Sequence, residues 1–328
     1  MSVQEFRLSI GTAMALGMKQ GVLPDPPTTA YVMLGSECIN NCAFCTQARE
    51  ALGNGNMLSR VAWPSFGRDE VLKAMAKARH SGISRICLQC LMDPREVTDL
   101  SNVIKMIKEA SGLPISVSIS AVDDGMIRRI REAGAERIGI ALDASSQPLF
   151  DLVKGSAVGN PYTWEGNWRS LRTAVDIFGR GNVSTHIIVG LGETDSEILE
   201  VLTRSLQEGI LVSLFSYTPM KGTKEIGPAP GLERYRALQI ARAYVMERGI
   251  SGGFEFDDNG RLRGFPSDPR DLGEDLPDAF RTRGCPECNR PYYNERPRGP
   301  MYNYPRELDE QEAKTALADA IRYLNGMI

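Results

Sequence analysis

Tyr31-Val32-Met33-Leu34-Gly35-Ser36-Glu37-Cys38-Ile39-Asn40-Asn41-Cys42-Ala43-Phe44-Cys45 sets a short apolar run directly against a loop that carries three thiols. The run reads as a buried strand, because apolar, aromatic and β-branched residues follow one another and stop at a glycine. A loop that leaves the C-terminal end of such a strand is where parallel α/β folds place their chemistry. Three thiolates on one short loop can hold three irons of a [4Fe-4S] cube and leave the fourth iron for a non-protein ligand. The rival is a zinc loop, which needs a remote fourth donor, and the chain has two histidines, His80 and His186, to offer.

Outward from this stretch, β-branched runs alternate with longer helical patterns, as βα units around a parallel sheet do. Further strands are expected from Arg85 (RICLQ), Ile115 (ISVSIS), Arg137 (RIGIALD), Val183 (VSTHIIVG), Leu211 (LVSLFSY) and Gly253 (GFEF). Helical patterns cover 69–80, 97–110, 124–133, 168–178, 195–207 and 232–248. Gly82, Gly112, Gly134, Gly209 and Gly249 stand where a left-handed residue ends a helix. Even spacing of the strands predicts an α/β, TIM-type (βα) barrel, full or partial, over 29–258. Before it, Leu8 to Met18 reads as an amphipathic opening helix within a lead-in over 1–28. After it, 259–328 forms a loop-rich, cysteine-containing C-terminal extension, dense in Pro, Gly, Arg and Tyr, that ends in a helix from Asp309 to Leu324.

With 328 residues, 42% hydrophobic and 24% charged, the chain can bury a large core and is not a disordered polymer. Its 38 basic and 41 acidic side chains give no electrostatic footprint for nucleic acid. No run approaches the ~20 apolar residues of a membrane helix, and the N-terminal stretch lacks the build of a secretion signal. A cytoplasmic protein with reduced thiols is therefore expected. Its seven cysteines, an odd number in three tight groups, point to metal or cluster binding instead of disulfides.

Beyond the first group, Cys87 and Cys90 sit at the end of the second expected strand, and Cys285 and Cys288 lie in the extension. Two CxxC pairs supply four thiolates, enough to close a second site. An auxiliary iron–sulfur cluster, a structural zinc and unrelated buried or redox cysteines are the three uses open to them. Position on a barrel strand favours the cluster, because a zinc knot usually lies within one small module. His186, inside an expected strand, reads as a core histidine.

The cysteine spacing, Phe44 before the last thiol and the strand before the loop together resemble the radical S-adenosylmethionine superfamily. Ile187-Ile188-Val189-Gly190-Leu191-Gly192-Glu193-Thr194 and Leu142-Asp143 are similar to segments of its biotin synthase-like branch. The resemblance implies that Cys38, Cys42 and Cys45 carry a radical-generating [4Fe-4S] cluster and that S-adenosylmethionine binds its open iron. One-electron reduction would then yield a 5′-deoxyadenosyl radical, with Phe44, Asp143, Gly190 and Glu193 binding the cofactor. The branch's usual Gly-Gly-Glu after the second strand is replaced by Cys87-Leu88-Gln89-Cys90.

The run from Gly284 through Cys285, Cys288, Tyr292, Tyr293 and Asn294 to Pro297, with Tyr302-Asn303-Tyr304-Pro305, resembles the C-terminal segment of two-protein lipoyl synthases. That resemblance implies an auxiliary cluster, [4Fe-4S] in type, on Cys87, Cys90, Cys285 and Cys288, sacrificed as a sulfur source. The substrate would be an octanoyl chain on a lipoyl carrier protein, a glycine-cleavage H protein or a dehydrogenase E2 domain. A second lipoyl synthase component and a reductant such as ferredoxin or flavodoxin would be partners. Three other readings remain open: biotin synthase-like sulfur insertion on another substrate, a non-sulfur radical mutase or cyclase with a structural second metal site, and a non-catalytic metal-binding scaffold.

Overall fold

The computed structural model describes residues 4–53, 55–224, 226–295 and 299–326. Arg296 and Pro297, at the end of the C-terminal run, lie outside the described residues, as do 1–3 and 327–328 of the expected terminal segments. The strands in chain order are β1 (Glu5–Leu8), β2 (Thr29–Leu34), β3 (Met57–Leu58), β4 (Val61–Ala62), β5 (Ser65–Gly67), β6 (Arg85–Cys90), β7 (Ile115–Ile119), β8 (Arg137–Ile140), β9 (Val183–Val189), β10 (Leu211–Ser216), β11 (Glu255–Phe256) and β12 (Leu262–Gly264).

Strands β2, β6, β7, β8, β9 and β10 pair in parallel in that order. Helices join successive members, as parallel pairing requires. The α/β fold is thus a partial TIM-type barrel. Helix ends follow the glycines: Gly82, Gly112, Gly134, Gly209 and Gly249 all have positive φ, a conformation that costs glycine little. Asp195–Glu208 starts with a full capping box between Thr194 and Glu197. Among the described residues no helix is long and apolar enough to cross a membrane.

Two expectations shift at the edges. Glu255–Phe256, the seventh expected strand, is not a barrel stave; it pairs antiparallel with Leu262–Gly264 in a separate two-stranded sheet. Asp257 closes that hairpin by accepting from the backbone N–H groups of Asn259 and Arg261, turn chemistry that a short β-rich run does not reveal. At the other edge the lead-in is not helical throughout. Leu8 belongs to β1, which with β5 extends the sheet antiparallel beyond β2, and the helix covers Ile10–Ala15, capped by the Ser9 hydroxyl.

The parallel strands run from β2 to β10, and the C-terminal extension reaches across the barrel from one to the other. Ser213 of β10 donates to the Arg283 carbonyl at 2.6 Å. Thr28, just before β2, donates its N–H to the Asn289 side chain at 3.0 Å. The extension is fastened from outside by its last helix, Glu310–Leu324, whose Tyr323 hydroxyl donates to buried Asp195 at 2.7 Å. Helix Leu232–Arg248 lies beneath that helix and is buried on every side from Tyr235 to Val245.

Candidate active site

Cys38, Cys42 and Cys45 line one cavity at the C-terminal ends of the parallel strands, enclosing about 1050 Å³ with its open mouth. Phe44, Asp143, His186, Cys90, Lys154 and Asn294 stand in the same wall. The loop is held from both sides. Arg7 of β1 donates to the carbonyls of Gly35 and Gly55, and Gln47 donates to the carbonyls of Gly55 and Met57 at 2.6 and 2.7 Å. The Asn160 side chain accepts from the Asn41 N–H at 2.7 Å and donates toward the Cys42 sulfur at 3.6 Å.

Burial pushes the Cys42 thiol up to about 12 and raises Cys45 as well. Desolvated thiols of this kind ionise when a metal centre supplies the compensating charge. Among the described residues no three His, Cys, Asp or Glu side chains are drawn together around one bare ion. The loop instead spreads three sulfurs around a cavity, the donor set of a cluster with one open iron.

Opposite the loop, Asp143 follows β8 in the left-handed region, with φ of +69°. Its backbone N–H donates to the His186 carbonyl, and its carbonyl accepts from Ile188, so pairing to β9 holds a conformation that an L-residue seldom keeps. Its carboxylate lies 2.6 Å from Lys154 Nζ and 2.7 Å from His186 Nε2. Burial alone would raise the Asp143 carboxyl, but Lys154 and His186 outweigh it and hold the group well below the usual carboxylate range. Asp143 therefore lines the cavity with both oxygens engaged, and it orients His186. The alternation of β9 carried the signal for His186, since it shares the inward parity of Ser184 and Ile188.

Removing this charge should be costly. Asp143→Asn leaves Lys154 buried without its counter-ion, and urea unfolding should show a loss of about 3 kcal/mol. Because the folded-state carboxyl lies below the ordinary value of ~3.9, the pair's stabilisation is complete above about pH 4. It is lost as pH falls below that toward the folded-state value, and the Asn variant should lack this acid limb. Equal stability of variant and wild type would contradict the assignment.

Two other expected cofactor residues are not brought to the cavity. Glu193 is buried and accepts from the backbone N–H groups of Gly190 and Leu191 at 2.8 and 2.9 Å, with Arg234 at 3.0 Å. It shapes the turn after β9. Gly190 has φ of +106°, and a side chain there would meet Pro230 at 2.9 Å; neither residue is in the cavity wall.

The far cysteines meet deeper in the barrel. β6 places Cys87 between Tyr31 of β2 and Ser116 of β7 in one lateral row. Cys285 and Cys288 come down over that row, with the Cys285 sulfur 3.1 Å from the Ser116 hydroxyl and the Cys288 sulfur 3.3 Å from the Tyr31 hydroxyl. All three thiols line a small chamber that also holds Gln89, His186 and Arg290. Burial raises the Cys87 and Cys288 thiols, and the neighbouring sulfurs raise them further. Cys90 is not in this chamber; it lines the first cavity. The reason is geometric. The strand runs on through Cys90, so residues 87 and 90 have opposite parity, and Cys90, at the last position of β6, meets the first cavity only at the strand's end while Cys87 points inward deeper in the barrel.

Arg290 closes the chamber. Its guanidinium lies 3.9 Å from the Tyr293 ring centre and 4.8 Å from that of Phe215, and its backbone N–H donates to the Tyr31 hydroxyl at 2.9 Å. Glu287, Arg290 and Tyr292 all have positive φ, a concentration of strained backbone around the CxxC. Within the extension, Tyr293 and Asn294 line the first cavity, whereas Tyr302 donates to the Pro230 carbonyl and tethers the extension.

The family model of the radical SAM superfamily matches residues 32–204, more than half of the 328-residue chain. A biotin synthase of Saccharopolyspora erythraea is 26% identical over 201 residues, which cover 58% of this chain and 53% of that protein. A biotin synthase of Aquifex aeolicus is 27% identical over 209 residues, covering 62% and 58%. The chain thus spans little more than half the length of these curated relatives. A solved methylornithine synthase shares the fold with a TM-score of 0.52 at 20% identity, over 67% of this chain and 62% of that one.

Proposed function

Because the chain belongs to the radical SAM superfamily, we propose that it inserts sulfur into an aliphatic chain, with the octanoyl group of a lipoyl carrier protein as its substrate. The family implies S-adenosylmethionine and a [4Fe-4S] cluster, for which Cys38, Cys42 and Cys45 are the donors at hand. When bound, that pair supplies a carbon radical able to take hydrogen from an unactivated C–H bond. Everything else falls to the chain's own residues: the loop anchors fix the thiols, the extension reaches across the barrel, and both exclude water from a reactive intermediate.

One observation carries the sulfur reading. Cys87, Cys285 and Cys288 gather in a second chamber that shares Gln89, His186, Phe215 and Arg290 with the wall of the first. An auxiliary iron–sulfur cluster there would stand beside the radical site as a sulfur source, with three thiolates and not the four expected from the two pairs. The biotin synthase relatives support a sulfur-inserting chemistry, and the C-terminal run supports the octanoyl substrate. The H protein or E2 domain, a second lipoyl synthase component and ferredoxin or flavodoxin are the partners this proposal requires, in the cytoplasm.

The test is incorporation. The anaerobically reconstituted chain, loaded with isotopically heavy sulfide, is incubated with its partner component, octanoylated H protein, S-adenosylmethionine and a reductant. Intact-mass analysis should find one heavy sulfur on the carrier per turnover of this chain. Cleavage of S-adenosylmethionine with no sulfur transferred would turn the reading to a radical mutase or cyclase.

A further inference from the structure

A third cavity opens beside the two cysteine chambers. Its walls come from three places: Ile10 and Gly11 of the first helix with Leu23 and Pro27 after it, Val61 and Trp63 around the β4 hairpin, and Pro291 with Tyr292 of the extension. These surfaces are apolar. Its carboxylate, Glu295, is spent on the N–H groups of Asn294 and Asn303. On one side Arg60 is half-exposed, and Val22, next in the chain to Leu23, is 91% exposed. On the other side stand Tyr31, Arg290 and Tyr293, which also line the cysteine chambers.

The walls are tied together. Tyr292 donates to Asp25 at 2.5 Å, the Asn289 side chain donates to the Pro26 carbonyl at 2.9 Å, and Leu8 donates to the Pro64 carbonyl at 3.1 Å. A cavity held open this way is a prepared binding site and not a packing defect. Its continuity with the two cysteine chambers, through Tyr31, Arg290 and Tyr293, points to its occupant, a group that must reach from this side to the radical site.

We infer that this cavity is the channel for an unbranched, medium-length acyl chain, whose end comes to the wall of Tyr31, Arg290 and Tyr293. The inference rests on the reading of the substrate as a carried acyl group, and adds where that group lies. Apolar walls that run up to the cysteine chambers select a hydrocarbon tail. Each methylene buried should strengthen binding about fourfold.

Gly11 offers a clean probe. A Cβ there would meet only Pro27, at 3.8 Å, so Gly11→Ala fits and favours the helix, while Gly11→Phe carries a ring into the channel. Leu23→Arg places a charge in the same wall without touching the helix. Lysine peptides bearing acetyl, butanoyl or octanoyl groups are titrated calorimetrically into the reconstituted full-length protein, with melting curves to confirm folding. Octanoyl should bind wild type about two orders of magnitude more tightly than butanoyl. Gly11→Phe and Leu23→Arg should each weaken octanoyl binding at least about tenfold, and Gly11→Ala should stay within about twofold. Chain-length dependence in wild type with unchanged binding by both folded variants would overturn the channel and leave the acyl substrate standing. No chain-length dependence in wild type would overturn both.

Discussion

Triple replacement of Cys38, Cys42 and Cys45 by alanine should reduce 5′-deoxyadenosine formation from S-adenosylmethionine to the level of a protein-free control, and should remove ~4 irons per chain. The size of the effect follows from the cavity. Asp143 and His186 are bound to each other at 2.7 Å, and Lys154 to Asp143 at 2.6 Å, so the polar groups facing the loop are already committed. Cys90 lines the same wall, but a single thiol cannot replace three. The fold should survive, because Arg7, Gln47 and Asn160 also anchor the loop through backbone groups and lose only their contacts to the Cys42 and Cys45 sulfurs. Reductive cleavage persisting in the folded triple variant would contradict the assignment of this loop.

The second large effect separates two cysteines that lie three residues apart. Cys87→Ala should remove the iron of the second centre and end sulfur transfer, while Cys90→Ala should retain that iron. Cys87 shares its row with Tyr31 and Ser116, the partners of Cys288 and Cys285. Cys90 has the opposite strand parity and meets the first cavity at the strand's end. Iron and sulfide analysis of each variant after anaerobic reconstitution reads the difference directly. Equal loss in both would mean that β6 ends earlier than Cys90 and turns both thiols inward.

The same pair shows what the sequence discloses and what it withholds. A CxxC in a loop converges on one centre, and the first cysteine group, placed after a strand, could be read that way from its spacing. A CxxC within a strand diverges, and the difference hangs on whether β6 stops at Gln89 or runs through Cys90. Boundaries of that kind are fixed by pairing, here of Leu34 with Cys90, and pairing is non-local. The six parallel strands were legible because each is a β-rich run closed by helical periodicity and a capping glycine. Glu255–Phe256 imitated a seventh, and its hairpin partner was invisible to composition.

At the site, Asp143 and Phe44 stand in the cavity wall, whereas the Glu193 carboxylate serves the N–H groups of its own glycine turn, a use that the sequence pattern does not distinguish from ligand binding. Lys154, Arg290 and Tyr31 gave no local signal. Their roles arise where distant segments meet, as Tyr31 of β2 meets Cys288 and Arg290 of the extension.

On the proposed function this barrel carries two iron–sulfur centres, one on the loop and one closed by the extension. Mössbauer spectroscopy with iron and sulfide content, on anaerobically reconstituted wild type and the Cys285→Ala/Cys288→Ala double variant, tests it most directly. Two iron–sulfur centres in wild type falling to one in the variant is the predicted result. A single cluster in both, with zinc bound by wild type alone, would contradict it.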